Sequence, residues 1–276
     1  MISVQHLSFN YGPTEVLKDI SMEVRGGSIY GLLGENGVGK TTLLTLLCGL
    51  KKPQKGCIEV DGRDPFRREP SLLGEQFYLP DEVVPVHAKA ISFARENGSL
   101  WPSFDLAKFS TILQEFEVSP AQRMDAMSAG QLKKTWIAFA LGCNARHYYM
   151  DEPTNGLDIP SKAQFRKAIT KYVSEEAAVV ISTHQVRDLE NVIDPIIILD
   201  RRDVLVNATL EEITSRLYFD YGTPLNPDAL YVEQTPGGTI QVYPNTTGEE
   251  SKVNLEAFFN AVHAHKELVK TLFNHQ

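Results

Sequence analysis

The stretch LLGENGVGKTTLL, residues 32–44, constrains this 276-residue chain more than any other. Gly34-x-x-x-x-Gly39-Lys40-Thr41 is a pattern in which a strand turns through glycines into a helix that begins at a lysine. Both flanks agree with it. SIYGLLG reads as a strand, and KTTLLTLLCGL puts Leu43, Leu44, Leu46, Leu47 and Leu50 on a broad apolar face before Gly49 and Pro53 end the helix. Such glycines let successive backbone N–H groups curl round phosphate oxygens with no Cβ in the way, and the helix start adds the positive end of its dipole. Lys40 then supplies a point charge to the β- and γ-phosphates of a nucleotide, and the Thr41 hydroxyl can coordinate Mg²⁺. The cradle runs through Gly34, Glu35, Asn36, Gly37, Val38, Gly39, Lys40, Thr41 and Thr42. The plainer alternative, a glycine-rich turn with Lys40 in solvent, leaves the completeness of the pattern unexplained.

Two downstream segments have the look of the same site's other half. RHYYMDEPTNGLD, residues 146–158, contains a short buried strand that ends in Asp151, at the edge where open α/β sheets bind ligands. Asp151 can hold a magnesium shell through water, and Glu152 can polarise a water that attacks the γ-phosphate. Taken alone, the same acids would cap the helix that starts near Pro160. In VVISTHQ, His184 follows the end of another strand, where an imidazole can hydrogen-bond a γ-phosphate and hold the water or Glu152 in place.

The rest of the chain fits an alternating α/β order. ISVQHLSF and VLKDISMEV read as strands before the loop, and CIEVDG as a short strand after it. YLPDEVVP reads as irregular, and residues 86–118 as two helical pieces broken by NGSLWPSFD, the second capped by Asp105. A helix is expected over about 129–142, then strand HYYMD, a helix from 160, strand AVVIS, a helix from 185, strand PIIIL and a helix around TLEEITSRL. Short strands apolar throughout imply a parallel sheet covered by helices. Near residue 220 YGTPLNPD reads as a linker, followed by strands ALYVEQ and TIQVYP split by TPGG. From Asn254 a helix places Leu255, Phe258, Phe259 and Val262 on one face. That tail either covers an apolar edge, the reading preferred here, or serves as a dimerisation or regulatory extension with Phe258, Phe259 and Val262 as contacts.

Composition excludes several classes. A net charge of −8 argues against a nucleic-acid binder, which normally shows a basic stripe. Three scattered cysteines, Cys48, Cys57 and Cys143, give no disulfide framework or metal cluster, and each is expected to be a small buried hydrophobe. MISVQHLSFN lacks the basic start and apolar core of a signal peptide, and no apolar run approaches the roughly 18–20 residues that span a bilayer. A membrane role is therefore expected to come through a partner.

Together the motifs resemble the nucleotide-binding subunit of an ABC transporter over residues 1 to about 218. GENGVGKTT is its phosphate loop, MSAGQ (Met127–Gln131) its signature at the head of a helix, YYMDEPTNGLD its extended acidic motif and STH its switch histidine. FNYG resembles the aromatic adenine platform, with Tyr11 stacking on the base. The resemblance implies the P-loop NTPase ABC-ATPase fold: a mixed-sheet core with an antiparallel β subdomain and a helical subdomain at about 82–142, and a small α+β extension at 219–276. It further implies two subunits closing head to tail on two ATP molecules with Mg²⁺. Ser128, Ala129, Gly130, Gln131 and Asp158 would then meet ATP held by the opposite subunit. Two departures stand out: Ala129 replaces a usual glycine, and Asp81 in YLPDE falls where glutamine is common, with Gln76 several residues too early. Asp81 joins Thr41 and Asp151 as an expected Mg²⁺ contact. WPSFDLAKFSTILQEFEV and YLPDE are similar to bacterial exporter-type ATPases that drive a separate transmembrane permease. The expected location is thus cytoplasmic, on the inner face of the cell membrane. A soluble ABC-type ATPase acting on ribosomes or DNA is the alternative, disfavoured by the single cassette, the acidic balance and the absence of a Cys cluster or long heptads. A small-molecule kinase would leave MSAGQ and STH unexplained.

Overall fold

The computed structural model describes residues 1–200, 202–222, 224–236 and 238–273. Two long strands open the chain, β1 (Ile2–Tyr11) and β2 (Thr14–Val24). Each buries roughly alternate residues, Ile2, Val4, Leu7 and Phe9 on the first and Leu17, Ile20, Met22 and Val24 on the second. After β3 (Ser28–Leu33) and helix α1 (Lys40–Leu47), strand β4 (Lys55–Val60) returns to pair with β1. β2, β1 and β4 thus form an antiparallel sheet whose apolar face shares a core with Leu43, Leu44, Leu46 and Leu47 of α1.

A six-stranded sheet carries the rest of the core, in the order β5–β6–β7–β3–β8–β9. After the short helix α2 (Pro70–Leu73) come β5 (Gln76–Leu79), α3 (Ala90–Asn97), α4 (Leu106–Glu115) and α5 (Ala129–Gly142). Then follow β6 (His147–Asp151), α6 (Ile159–Tyr172), β7 (Ala178–Thr183), β8 (Ile196–Asp200) and β9 (Asp203–Ala208). Neighbours from β5 to β8 run parallel, and β9 is antiparallel to β8. Alternation explains why these strands are apolar at nearly every position: Val179 and Ile181 of β7 enter one core while Ala178 and Val180 enter the other. Ile196 and Ile198 of β8 divide in the same way from Ile197 and Leu199. Each fully buried side chain of this size contributes about 1.5–3 kcal/mol.

Helices α3, α4 and α5 are held by an aromatic cluster around Phe139, whose ring centroid lies 5.0–6.4 Å from those of Phe77, Phe93, Trp101, Phe104, Phe109 and Trp136. The expected cap is present: the Asp105 carboxylate accepts from Lys108 N at 2.9 Å. In the tail, α7 (Leu210–Arg216) runs directly into β10 (Leu217–Asp220), which pairs with β12 (Gly238–Pro244), itself the partner of β11 (Tyr231–Thr235). Helices α8 (Leu255–Ala264) and α9 (Lys266–Phe273) close the chain.

Several expectations change. The helix expected from 185 is only a 3₁₀ turn at Val186–Asp188, closed by i+3 bonds from Asp188 N to Gln185 O and from Leu189 N to Val186 O, with the Asp188 carbonyl accepting from Arg166 Nη1 at 2.9 Å. The sheet is mixed, as the resemblance implied, and not wholly parallel as the apolar strands alone suggested, since β9 returns as a hairpin. Cys57 is exposed, unlike Cys48 and Cys143. Phe258 and Val262 are fully buried within the chain, which removes them as surface contacts and favours the tail as a cover. Thr223 of YGTPLNPD and Gly237 of TPGG lie outside the described residues.

Candidate active site

Register brings the site together. Leu33 at the end of β3 is level with Thr183 of β7, and Ser182 of β7 is level with Asp151 of β6. The phosphate-type loop, the acidic pair and the histidine therefore leave three neighbouring strands at one edge of the sheet. They line a cleft of ≈ 520 Å³ with Tyr11, Val16, Asn36, Gly37, Gly39, Lys40, Thr41, Thr42, Asp81, Asp151, Glu152, Asn155 and His184.

The loop has the backbone its glycines allow. Gly37 and Gly39 have φ of 79° and 116°, a region costly for other residues, and Gly39 opens α1. Gly34 is needed for closeness: a Cβ there would stand 2.5 Å from the Leu199 carbonyl oxygen. Val38 packs into the core beneath the loop, and Glu35 contributes its carbonyl. The Lys40 ammonium donates to the carbonyls of Gly34 at 2.7 Å and Glu35 at 3.1 Å, and lies 3.8 Å from Glu152 Oε1. Burial pushes the Lys40 pKa down, against the pull of Glu152 and Asp151.

On the facing side Thr41 Oγ1 donates to Asp151 Oδ2 at 2.5 Å, while the Ser182 hydroxyl donates to Asp151 Oδ1. Ser182 also accepts from Glu152 N at 3.1 Å, which steadies a residue with φ of 44°. His184 Nδ1 lies 2.8 Å from Glu152 Oε1, and the His184 backbone N–H donates to Oε2 at 3.4 Å. The imidazole's other nitrogen is 3.3 Å from Gln185 Nε2. A carboxylate is thus held against an imidazole and within reach of a lysine, at the mouth of an anion-binding loop. This geometry suits water activation beside a phosphate.

Asp81 follows β5 and points its carboxylate at Asn155 Nδ2, 3.1 and 3.3 Å away, with Lys133 Nζ 3.8 Å from Oδ1. Tyr11 sits at the far end, 46% exposed, with its hydroxyl 3.4 Å from Thr42 Oγ1 and the Lys51 ammonium 4.9 Å above its ring. Ser128, Ala129, Gly130, Gln131 and Asp158 do not line the cleft. Ser128 caps α5, in a capping box with Gln131, and Asp158 caps α6 by accepting from Ser161 N at 2.9 Å. Sequence reasoning missed Ser182, Asn155 and Lys133. Asn155 stood inside a quoted motif, but nothing local to the sequence pairs it with Asp81.

Cleft and fold define a P-loop nucleotide hydrolase, with the loop on the central strand and the acids on a neighbour two strands away. A family model described as "ABC transporter" matches residues 17–155, and the chain belongs to that family. Relatives include an uncharacterized ABC transporter ATP-binding protein of Methanocaldococcus jannaschii, 28% identical over 84% of this chain and 88% of its own length. The lipopolysaccharide export system ATP-binding protein LptB of Haemophilus influenzae is also 28% identical, over 77% of this chain and 92% of its own. A solved ATP-binding subunit of an ABC transporter shares the fold at TM-score 0.70 and 24% identity, over 77% of this chain and 91% of that one. The protein is accordingly an ATP-binding, ATP-hydrolysing subunit of the ABC transporter type. Among the described residues no helix is long and apolar enough to cross a membrane.

Proposed function

We propose that two copies of this chain, or this chain and a related one, close on two ATP molecules and drive a separate transmembrane permease that exports its cargo. The observation that carries the reading is the division of the expected residues. The phosphate loop, Glu152 and His184 share one cleft, whereas Ser128, Gly130 and Asp158 sit at helix starts outside it. A hydroxyl and free amides at the head of α5 form an anion site that a second subunit's γ-phosphate would complete. Export is supported by relatives such as the one named for lipopolysaccharide export, and the face formed by residues 82–130 would receive the permease. On this reading residues 1–218 form the ATPase, residues 219–276 are an appended cover, and the subunit works at the cytoplasmic face of the membrane.

In the catalytic step Lys40 releases the loop carbonyls and takes the β- and γ-phosphates, with Tyr11 stacking on adenine. Glu152 accepts a proton from the attacking water, and His184 orients Glu152 and the γ-phosphate. The oxygens near Asp151 suit Mg²⁺, since Thr41 and Asp151 offer hard oxygens 2.5 Å apart beside the loop, and Asp81 lines the same cleft. Among the described residues no three His, Cys, Asp or Glu side chains lie close enough together to hold an ion, so it would keep phosphate and water ligands. Bound there, it would neutralise charge on the phosphates, and Asp151 and Asp81 would reach it through water.

Replacing Glu152 by Gln tests the scheme. ATP hydrolysis should fall about 10²–10⁴-fold while ATP binding persists, and ATP should convert the variant to a dimer by light scattering. Hydrolysis at the wild-type rate would remove Glu152 from its role, and a monomer under saturating ATP would end the dimer reading.

A further inference from the structure

The cleft gathers three carboxylates, Asp81, Asp151 and Glu152, yet has to admit a polyphosphate. Among the described lining residues Lys40 is the only lysine or arginine. A second ammonium stands just behind Asp81. Lys133 of α5 is 4% exposed, and its Nζ donates to the Asp81 carbonyl at 2.6 Å and the Pro80 carbonyl at 3.3 Å, 3.8 Å from Asp81 Oδ1. Burying an ammonium is costly unless acceptors and an opposite charge meet it, and this turn supplies both. Asp81 and Asn155 are also the common wall between the ATP cleft and a second cleft of ≈ 390 Å³ lined by Ala129, Leu132 and Lys133. Lys133, on the helix capped by Ser128, therefore stands behind the wall of the nucleotide cleft and meets it through Asp81.

We propose that Lys133 is a positioning residue for nucleotide binding, which ties the Pro80–Asp81 turn to α5 and cancels the Asp81 charge that would otherwise repel the phosphates. The proposal rests on the reading of the cleft as the ATP site. It explains how a carboxylate is tolerated at position 81. A neutral amide there would need no counter-charge, so the acid and the buried lysine work as a couple. Burial pushes the Lys133 pKa down, while Asp81 first and then Asp151 and Glu152 pull it up.

A double-mutant cycle on the full chain separates this role from packing. A fluorescent ATP analogue is titrated in EDTA, so that metal ligation does not enter, with circular dichroism and thermal unfolding recorded for each variant. Lys133→Met should weaken binding about tenfold, as loss of a charged hydrogen-bond partner does. Asp81→Asn should tighten it. The double variant should return to within about twofold of wild type, because both charges are then gone. A double variant as weak as Lys133→Met alone would show a merely structural residue and overturn the proposal. If Lys133→Met does not fold, Lys133→Arg, which keeps the charge, decides: metal-free affinity within about twofold of wild type supports the proposal, and a tenfold loss overturns it. If wild-type chain binds no nucleotide, it is the reading of the cleft that fails.

Discussion

Ser182 is fully buried and serves two masters at once, giving its proton to Asp151 and accepting the backbone N–H of Glu152. A buried donor or acceptor left without a partner costs about 1–3 kcal/mol, more than the bond itself contributes net. Ser182→Ala should therefore lower kcat about tenfold, chiefly through an Asp151 carboxylate that loses its buried donor, since the Glu152 N–H keeps the Ser182 main-chain carbonyl at 3.2 Å. The KM for ATP should change little, since the loop that grips the phosphates stays intact; steady-state kinetics would read the split. At this scale the sequence was informative where chemistry is carried by contiguous motifs: Lys40, Thr41, Asp151, Glu152 and His184 all line one cleft. It was silent on Ser182, Asn155 and Lys133. Their roles arise from register and from helix α5 crossing the turn after β5, neither of which leaves a local pattern.

Elements were legible in proportion to their periodicity and their end signals. Helix α5 begins at Ala129 with Ser128 as its cap and ends at Gly142, as the apolar spacing implied. β5, only four residues long and followed at once by Pro80, went unread, its last two residues falling in the stretch YLPDEVVP read as irregular. β10 was missed because LYFD follows α7 with no turn residue between them. β9 was missed beside the charged run RRD; it is held by pairing to β8 rather than by its own pattern. Phe139 gives the clearest test of what joins helices α3–α5 to the sheet. Phe139→Ala removes the ring at the centre of the aromatic cluster and should cost about 3–5 kcal/mol, read as a lower chemical-denaturation midpoint. Because the ring is remote from the loop, the fraction that remains folded should still bind ATP.

Across the whole molecule, one buried imidazole links folding to mild acid. His147 of β6 is nearly inaccessible, and its Nε2 lies 2.8 Å from Asp61 Oδ2. Burial lowers its pKa below the ordinary 6.5, with Arg146 adding to the shift and Asp61 opposing it. The unfolded chain then takes up a proton that the native chain refuses, so stability is lost as pH falls below about 6.5 and the loss continues down to the native pKa. Thermal unfolding should show a midpoint that falls between neutral and mildly acidic pH, with a shallower slope in His147→Gln. The tail adds its own buried charge: Asp200, 4% exposed at the end of β8, meets Lys266 Nζ at 2.5 Å. That contact joins α9 to the strand whose Leu199 carbonyl bears on Gly34, so the appended cover and the phosphate loop rest on one strand end.

The sheet order gives the site a fixed gauge. β6, β7 and β3 lie side by side, and each contributes one part at its end: the acids, the histidine and the loop. Neighbouring strands stand about 4.8 Å apart, so the strand ends that carry acid and loop are set two such steps apart, about 10 Å, and the side chains of Lys40 and Glu152 close that gap to 3.8 Å. No hinge intervenes to be tuned. The spacing of the strand ends is thereby set by main-chain hydrogen bonds that no side-chain substitution can alter, and what a substitution can change is only the reach of the side chains that bridge them.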